Sequence, residues 1–170
     1  MFALITLTIA CGLVQSAGFA SYNTNSDGKS IIAPVVDQCL ACKKEDLNLN
    51  LAAFKSLGNP ALGRLPISWS IVRCPDVTGN IQYIWEAGSN QWQSAIQVRN
   101  HAEAVTSLAY SKSKTGPWKK FTRREDNYFI TSNITTPVFF NVTSTSGKSI
   151  IDSNMTTLEK GGLVTSSSQF

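Results

Sequence analysis

Residue types able to do chemistry fall into a few small groups. Cys39-Leu40-Ala41-Cys42 sets two cysteines at redox spacing ahead of Lys43 and Lys44, whose charge would lower a thiol pKa, and the same spacing could form half of a zinc site. Against both, no second Cys-x-x-Cys exists and His101 is the single histidine, so in an oxidising compartment the expectation is a structural disulfide drawn from Cys39, Cys42 and Cys74. Among the acidic residues nearby, Asp37 reads as a turn residue capping the way into Cys39, and Glu45 and Asp46 sit in a charged loop that reads as solvated.

A different chemistry is suggested by residues 88–101, GSNQWQSAIQVRNH. Gly88, Ser89 and Asn90 supply a turn, and Trp92 then stands at the entrance of a strand, where an indole is either a core anchor or a surface platform. From Ser94 onward the types alternate, with Ile96 and Val98 on one face and Ala95, Gln97 and Arg99 on the other, so the strand is expected to be half-buried. Trp69, Trp85 and Trp118 share strand faces with apolar neighbours or follow turns, and read as packing. Asn133, Asn141 and Asn154 each open an Asn-x-Thr sequon, a glycan acceptor if the chain is secreted and a chance occurrence otherwise.

The elements that must position these residues are short and mostly extended. Residues 21–30 are polar, with 25–28 at the tip of a hairpin or loop. An apolar run at 31–36 broken by Pro34 fits an edge strand. In 46–57 a capping candidate at Asp46 precedes Leu51, Phe54 and Leu57 at helical spacing, which predicts a short helix near 51–56, stopped by Gly58-Asn59-Pro60. Residues 65–74 read as a strand, with Ile67, Trp69 and Ile71 on one side, and 75–79 is the best boundary. Beyond it, strands are expected at 81–85, 94–100, 105–111, 118–122, 128–131, 138–143 and 149–152, a rhythm that suggests a β-sandwich.

The chain has 170 residues, 42% of them hydrophobic and 15% charged, ordinary values for a globular protein. Residues 2–14 are uncharged and mostly apolar, with small residues following through Ala20. They read as a secretory signal cleaved near position 20, the alternative being a buried first strand of a shortened domain. The run is too short to span a bilayer comfortably. A net charge of +4 favours mildly acidic surfaces, and the absence of basic runs interleaved with aromatics argues against nucleic acid.

Several segments together resemble expansins and microbial expansin-like proteins, in order and spacing: VVDQCLACKKEDLNLNLAAF, NPALGRLPISW, VTGNIQY, GSNQWQSAIQVRNH, the stretch 126–129, TSGKSIIDSN and, more weakly, SSSQF. The resemblance covers about residues 28–154 and implies a mostly β fold. Its parts are an incomplete double-psi β-barrel-like segment with one short helix over 21–74, a linker at 75–79, an immunoglobulin-like carbohydrate-binding β-sandwich over 80–158, and a tail at 159–170. The earlier half of the barrel has no counterpart, so either residues 1–27 rebuild it in diverged form or the chain is a truncated variant.

The resemblance also implies roles. In the family, one barrel carboxylate matches Asp37, while the Asp central to wall loosening falls on Asn48, within Leu47-Asn48-Leu49-Asn50. An amide offers hydrogen bonds but cannot take up a proton. The family's row of sugar-stacking aromatics falls on Trp92, Gln93 and Asp126, with Tyr128 two residues beyond, so one ring survives at its expected place. The expectation is a secreted, extracellular, monomeric and non-catalytic protein without a cofactor. It would bind cell-wall polysaccharide of the cellulose type, with loosening activity reduced or absent. A polysaccharide-cleaving relative of lytic transglycosylases or barrel endoglucanases is the alternative, disfavoured by Asn48.

Overall fold

The computed structural model describes residues 18–24, 28–35, 42–43, 46–75, 77–155 and 162–170. Asp37, Cys39, Glu45 and the apolar run 2–14 lie outside the described residues. Among the described residues the fold is mostly β with one short α-helix, in two parts.

The first part is a three-stranded antiparallel sheet. Strand β1 (Gly18–Thr24) lies between β2 (Ser30–Val35) and β3 (Ile67–Val72), antiparallel to both, and β2, carrying Pro34, is at an edge. Positions 18–20, the last residues of the expected signal, belong to β1. Helix α1 (Leu51–Leu57) starts at Asn50, not at Asp46: Asn50 has extended backbone, and its Oδ1 accepts the Ala53 amide at 2.7 Å, satisfying a donor the first turn leaves open. Ala53 and Leu57, four residues apart, form the buried face, while Leu51 is exposed. Leu57 and Ala33 gather Ile31, Val35, Leu47, Leu49, Leu65 and Ile67 into a small core. A further 3-10 turn at Pro60–Leu62 is capped by Asn59, whose Oδ1 accepts the Ala61 amide.

That core does not cover the whole face. Trp69, expected to be packed, is 37% exposed, and Ile71 beside it on the same face is 53% exposed. Alternation puts Ile67, Trp69 and Ile71 on one side of β3, but one seven-residue helix is too short to lie over all three.

The second part is a two-layer sandwich. One sheet has the order β12-β4-β5-β9-β8, from β4 (Gln82–Trp85), β5 (Ser94–Arg99), β8 (Thr122–Arg123), β9 (Phe129–Thr131) and β12 (Leu163–Thr165). The other has the order β11-β10-β6-β7, from β6 (Val105–Ser111), β7 (Lys119–Lys120), β10 (Val138–Ser144) and β11 (Ser149–Met155). Tyr83, Trp85, Ile96, Val98 and Phe129 from the first sheet meet Leu108, Tyr110, Val138, Phe140 and Val142 from the second in one continuous core. Phe140 is its centre, with ring centroids 5.2 Å from Tyr83, 5.7 Å from Phe121 and 5.9 Å from Trp85.

Two features depart from the expected strands. The run 118–122 is not one strand: Lys119 and Lys120 pair with β6, then Phe121 turns into the core, and Thr122 and Arg123 pair with β9 in the opposite sheet. A single alternating run thus hides a chain that changes sheets, because both halves obey the same in-out rhythm. Within the segment 159–170, expected as a tail, β12 pairs with β4, and Phe170 is buried in the sandwich core. Asp152, itself buried, holds this segment: it accepts Ser166 Oγ at 2.9 Å and Ser167 N at 3.2 Å, and takes Tyr83 Oη at 2.7 Å on its other oxygen. Burial first, and then the Asp152 carboxyl, push the Tyr83 phenol well above its ordinary range.

Candidate carbohydrate-binding surface

Trp92 is held in the β4–β5 connection by its own neighbours. Gly88 adopts a positive φ of 94°, which opens the turn. Asn90 Oδ1 then accepts the amides of Trp92 at 2.8 Å and Gln93 at 3.1 Å, and Ser94 Oγ closes onto Asn90 O at 2.6 Å. From the far side, Ile134 N donates to Gln91 O at 2.8 Å and Asn133 N to Trp92 O at 3.4 Å. The backbone is therefore fixed on both sides while the indole is 67% exposed. A planar apolar ring presented on a braced loop suits stacking against a flat apolar ligand face, with little ordering left to do on binding. Gln93 is exposed beside it.

Strand β5 is more deeply buried than the expected half-buried strand. Ala95 and Gln97, on the face away from the core, are at 5% and 0% exposure. Gln97 Oε1 accepts Arg99 Nε at 2.6 Å, whereas its Nε2 is buried without a partner among the described residues. β5 lies between β4 and β9, and long side chains of neighbouring strands can cover a central outer face that alternation alone assigns to solvent.

Asp126 and Tyr128 lie on the β8–β9 hairpin, where Asn127 takes the left-handed backbone (φ 66°) that the turn requires. Neither side chain is free to act alone. Arg124 binds the Asp126 carboxylate through Nε at 2.8 Å and Nη2 at 2.7 Å, while the same Nη2 lies 2.8 Å from Glu86 Oε1. Its guanidinium carbon is 5.1 Å from the centroid of the Tyr128 ring, so one face of that ring is taken by a cation. Hydrogen bonding to Arg124 holds the Asp126 carboxyl below its ordinary range, and Asp126 and then Glu86 hold Arg124 charged.

Glu86 opens the same β4–β5 connection that ends at Trp92. The Asp126–Arg124–Glu86 bridge thus ties the hairpin of Asp126 and Tyr128 to the loop of Trp92, passing across β5 and β9, the strands between β4 and β8. Sequence reading did not find Arg124 or Glu86. The one signal was the cluster Arg123-Arg124-Glu125-Asp126, which does not reveal a partner 38 residues earlier.

No protein-family model matches the chain. Sequence similarity reaches Expansin-YoaJ of Bacillus subtilis (strain 168), 38% identical over 90 residues that make up 53% of this chain and 38% of that protein. The fold matches the crystal structure of the apo expansin of Clavibacter michiganensis with a TM-score of 0.75 at 25% identity, over 91% of this chain and 75% of that one. The chain thus resembles expansins in part of its sequence and in fold. A mutant of the Clavibacter expansin, solved in complex with cellohexaose, matches with a TM-score of 0.76 at 25% identity, over 92% and 75% of the two chains.

The matched region amounts to about two fifths of the length of the curated relative, but nearly all of this chain matches in fold. Asn48 is half-buried between Leu47 and Leu49, which pack into the small core beside α1. It is far in sequence from Trp92 and belongs to the other part of the fold. Among the described residues, no group of three or more His, Cys, Asp or Glu is placed to hold a metal ion, and no helix is long and apolar enough to cross a membrane.

Proposed function

We propose that this is a secreted, monomeric, non-catalytic expansin-like protein that binds cell-wall polysaccharide of the cellulose type through its sandwich, with wall loosening reduced or absent. The observation that carries the reading is Trp92, the most exposed large apolar side chain described, braced on a loop at the mouth of β5. The cellohexaose complex of the Clavibacter expansin supports the choice of ligand. Trp92 supplies stacking, and Gln93 and Asp126 supply hydrogen bonds to hydroxyls, a wetter contact than a full row of rings. Arg124 occupies one face of Tyr128, so that face is open to stacking only when Arg124 leaves it.

Asn48 supports the non-catalytic reading, since an amide cannot serve as the base that proton transfer requires. A structural disulfide drawn from Cys39, Cys42 and Cys74 belongs to the same proposal, since disulfides persist in oxidising compartments. The division into a partial barrel over 21–74 and a sandwich over 80–158 is part of the proposal. Retention on microcrystalline cellulose, compared with chitin and depolymerised pectin, tests it. Trp92→Ala is expected to weaken cellulose retention about tenfold, ~1.4 kcal/mol; equal retention of the two proteins would sink the assignment. Release of reducing sugar from cellulose would overturn the non-catalytic reading.

A further inference from the structure

The connection between β9 and β10 does more than close the sandwich: it runs alongside the Trp92 loop and carries a sequon. Asn133 is exposed, with its backbone in the left-handed region (φ 57°), and its carboxamide makes no hydrogen bond among the described residues. Ile134 is fully buried and fixes the connection, and Thr135, which completes Asn133-Ile134-Thr135, is exposed. The Asn133 and Ile134 amides are the two that donate to Trp92 O and Gln91 O. An acceptor side chain and an exposed indole therefore leave from directly paired backbone segments.

Asn141 offers a poorer acceptor. It lies in the middle of β10, between Ala109 and Ile151 on the flanking strands, with its Oδ1 buried and without a partner among the described residues. A glycan there would have to leave from within a sheet, whereas at Asn133 it leaves from a turn.

We propose that Asn133 is an N-glycan acceptor and that the glycan it carries lies over Trp92 and controls access to that ring. In the transfer, Asn133 Nδ2 forms a bond to the anomeric carbon of a lipid-diphosphate-linked oligosaccharide. The bond from that carbon to the diphosphate oxygen breaks, the lipid diphosphate leaves, and one amide proton passes to the transferase's base. The attached sugars present the same apolar CH faces as a wall polysaccharide, so they compete for the indole from a tethered position at high effective concentration. The proposal deepens the carbohydrate-binding reading and rests on its secretory route.

The test separates the two. The full chain is sent into the secretory route of a glycosylating yeast behind a supplied cleavable leader, so failure of its own amino-terminal segment to target counts against native secretion alone. Thr135→Ala removes the sequon and keeps Asn133. Peptide mass spectrometry reads occupancy, and hydroxyl-radical labelling reads the exposure of Trp92 before and after enzymatic glycan removal. The expected result is a modified Asn133, with Trp92 labelling several-fold higher in the deglycosylated protein and in Thr135→Ala. An unmodified Asn133, or equal Trp92 labelling with and without the glycan, would overturn the proposal. A labelling difference in a protein that no cellulose retains would uphold it and count against the binding function.

Discussion

The sandwich and the three-stranded sheet before it are written in the same alternating pattern, yet the sandwich buries its apolar face and the sheet leaves Trp69 and Ile71 in water. Phe140 is fully buried among three aromatic rings, while Trp69 and Ile71 remain exposed beside a single short helix. The difference lies in the second layer. A sheet gains stability from alternation only where something covers it, and the sandwich covers each sheet with the other. The proposed binding surface lies on the covered part, where braced backbone holds Trp92 in place.

The largest expected effect tests that contrast directly. Phe140→Ala should destabilise the sandwich by about 3–5 kcal/mol in urea unfolding, whereas Trp69→Ala should stay within about 1 kcal/mol. Similar losses for the two would show that the first sheet is as tightly packed as the sandwich. Next in size, Tyr83→Phe should cost about 1–3 kcal/mol by removing one donor from the buried Asp152. Because Ser166 and Ser167 bind the same carboxyl, hydrogen exchange should quicken in 163–170 ahead of β10.

A smaller effect is expected where the two parts meet. Glu103 accepts Arg73 at 2.8 Å, Lys148 at 2.7 Å and the hydroxyls of Ser144 and Ser146, while Arg73 also donates to Phe170 O, and Cys74 N donates to Ala102 O. Lys148 first, then Ser146, lower the Glu103 carboxyl from 4.5 to about 2. A depressed carboxyl stabilises the fold above its unfolded value and loses that contribution as pH falls through the folded one. Glu103→Gln should therefore cost on the order of 1 kcal/mol near neutrality, since solvent screens Arg73 and Lys148, and the gap to the wild type should close between pH 4.5 and 2. A gap unchanged at pH 2 would refute the assignment. Smallest in stability, Arg124→Ala should cost under about 1 kcal/mol, yet it uncovers Tyr128, so cellulose retention should rise if a second ring is what the surface lacks. Unchanged retention would leave Trp92 as the sole stacking group.

Much of this was legible in the sequence because it rests on local rules. Period-two alternation located the strands from β4 to β6 and from β9 to β11, and helical spacing with a Gly-Asn-Pro stop located α1. Turn chemistry at Gly88-Ser89-Asn90 placed Trp92 at a strand mouth. The helix cap was misplaced by four residues, since Asp46 and Asn50 both suit the role and only backbone geometry chooses between them.

What the tertiary structure alone decided is coverage and partnership over long separations. The pattern names which residues share a face, but whether Trp69 is packed, Gln97 buried or Phe170 part of a core depends on what the rest of the chain lays over them. Arg124 finds Glu86 and Asp152 finds Tyr83 across dozens of residues, pairings that no local rule contains. By itself the sequence determined most of the sandwich strands, the helix and a ring at a strand mouth, because these follow from neighbours in the chain. Only the fold decided that this ring faces solvent next to Asn133, because that follows from neighbours in space.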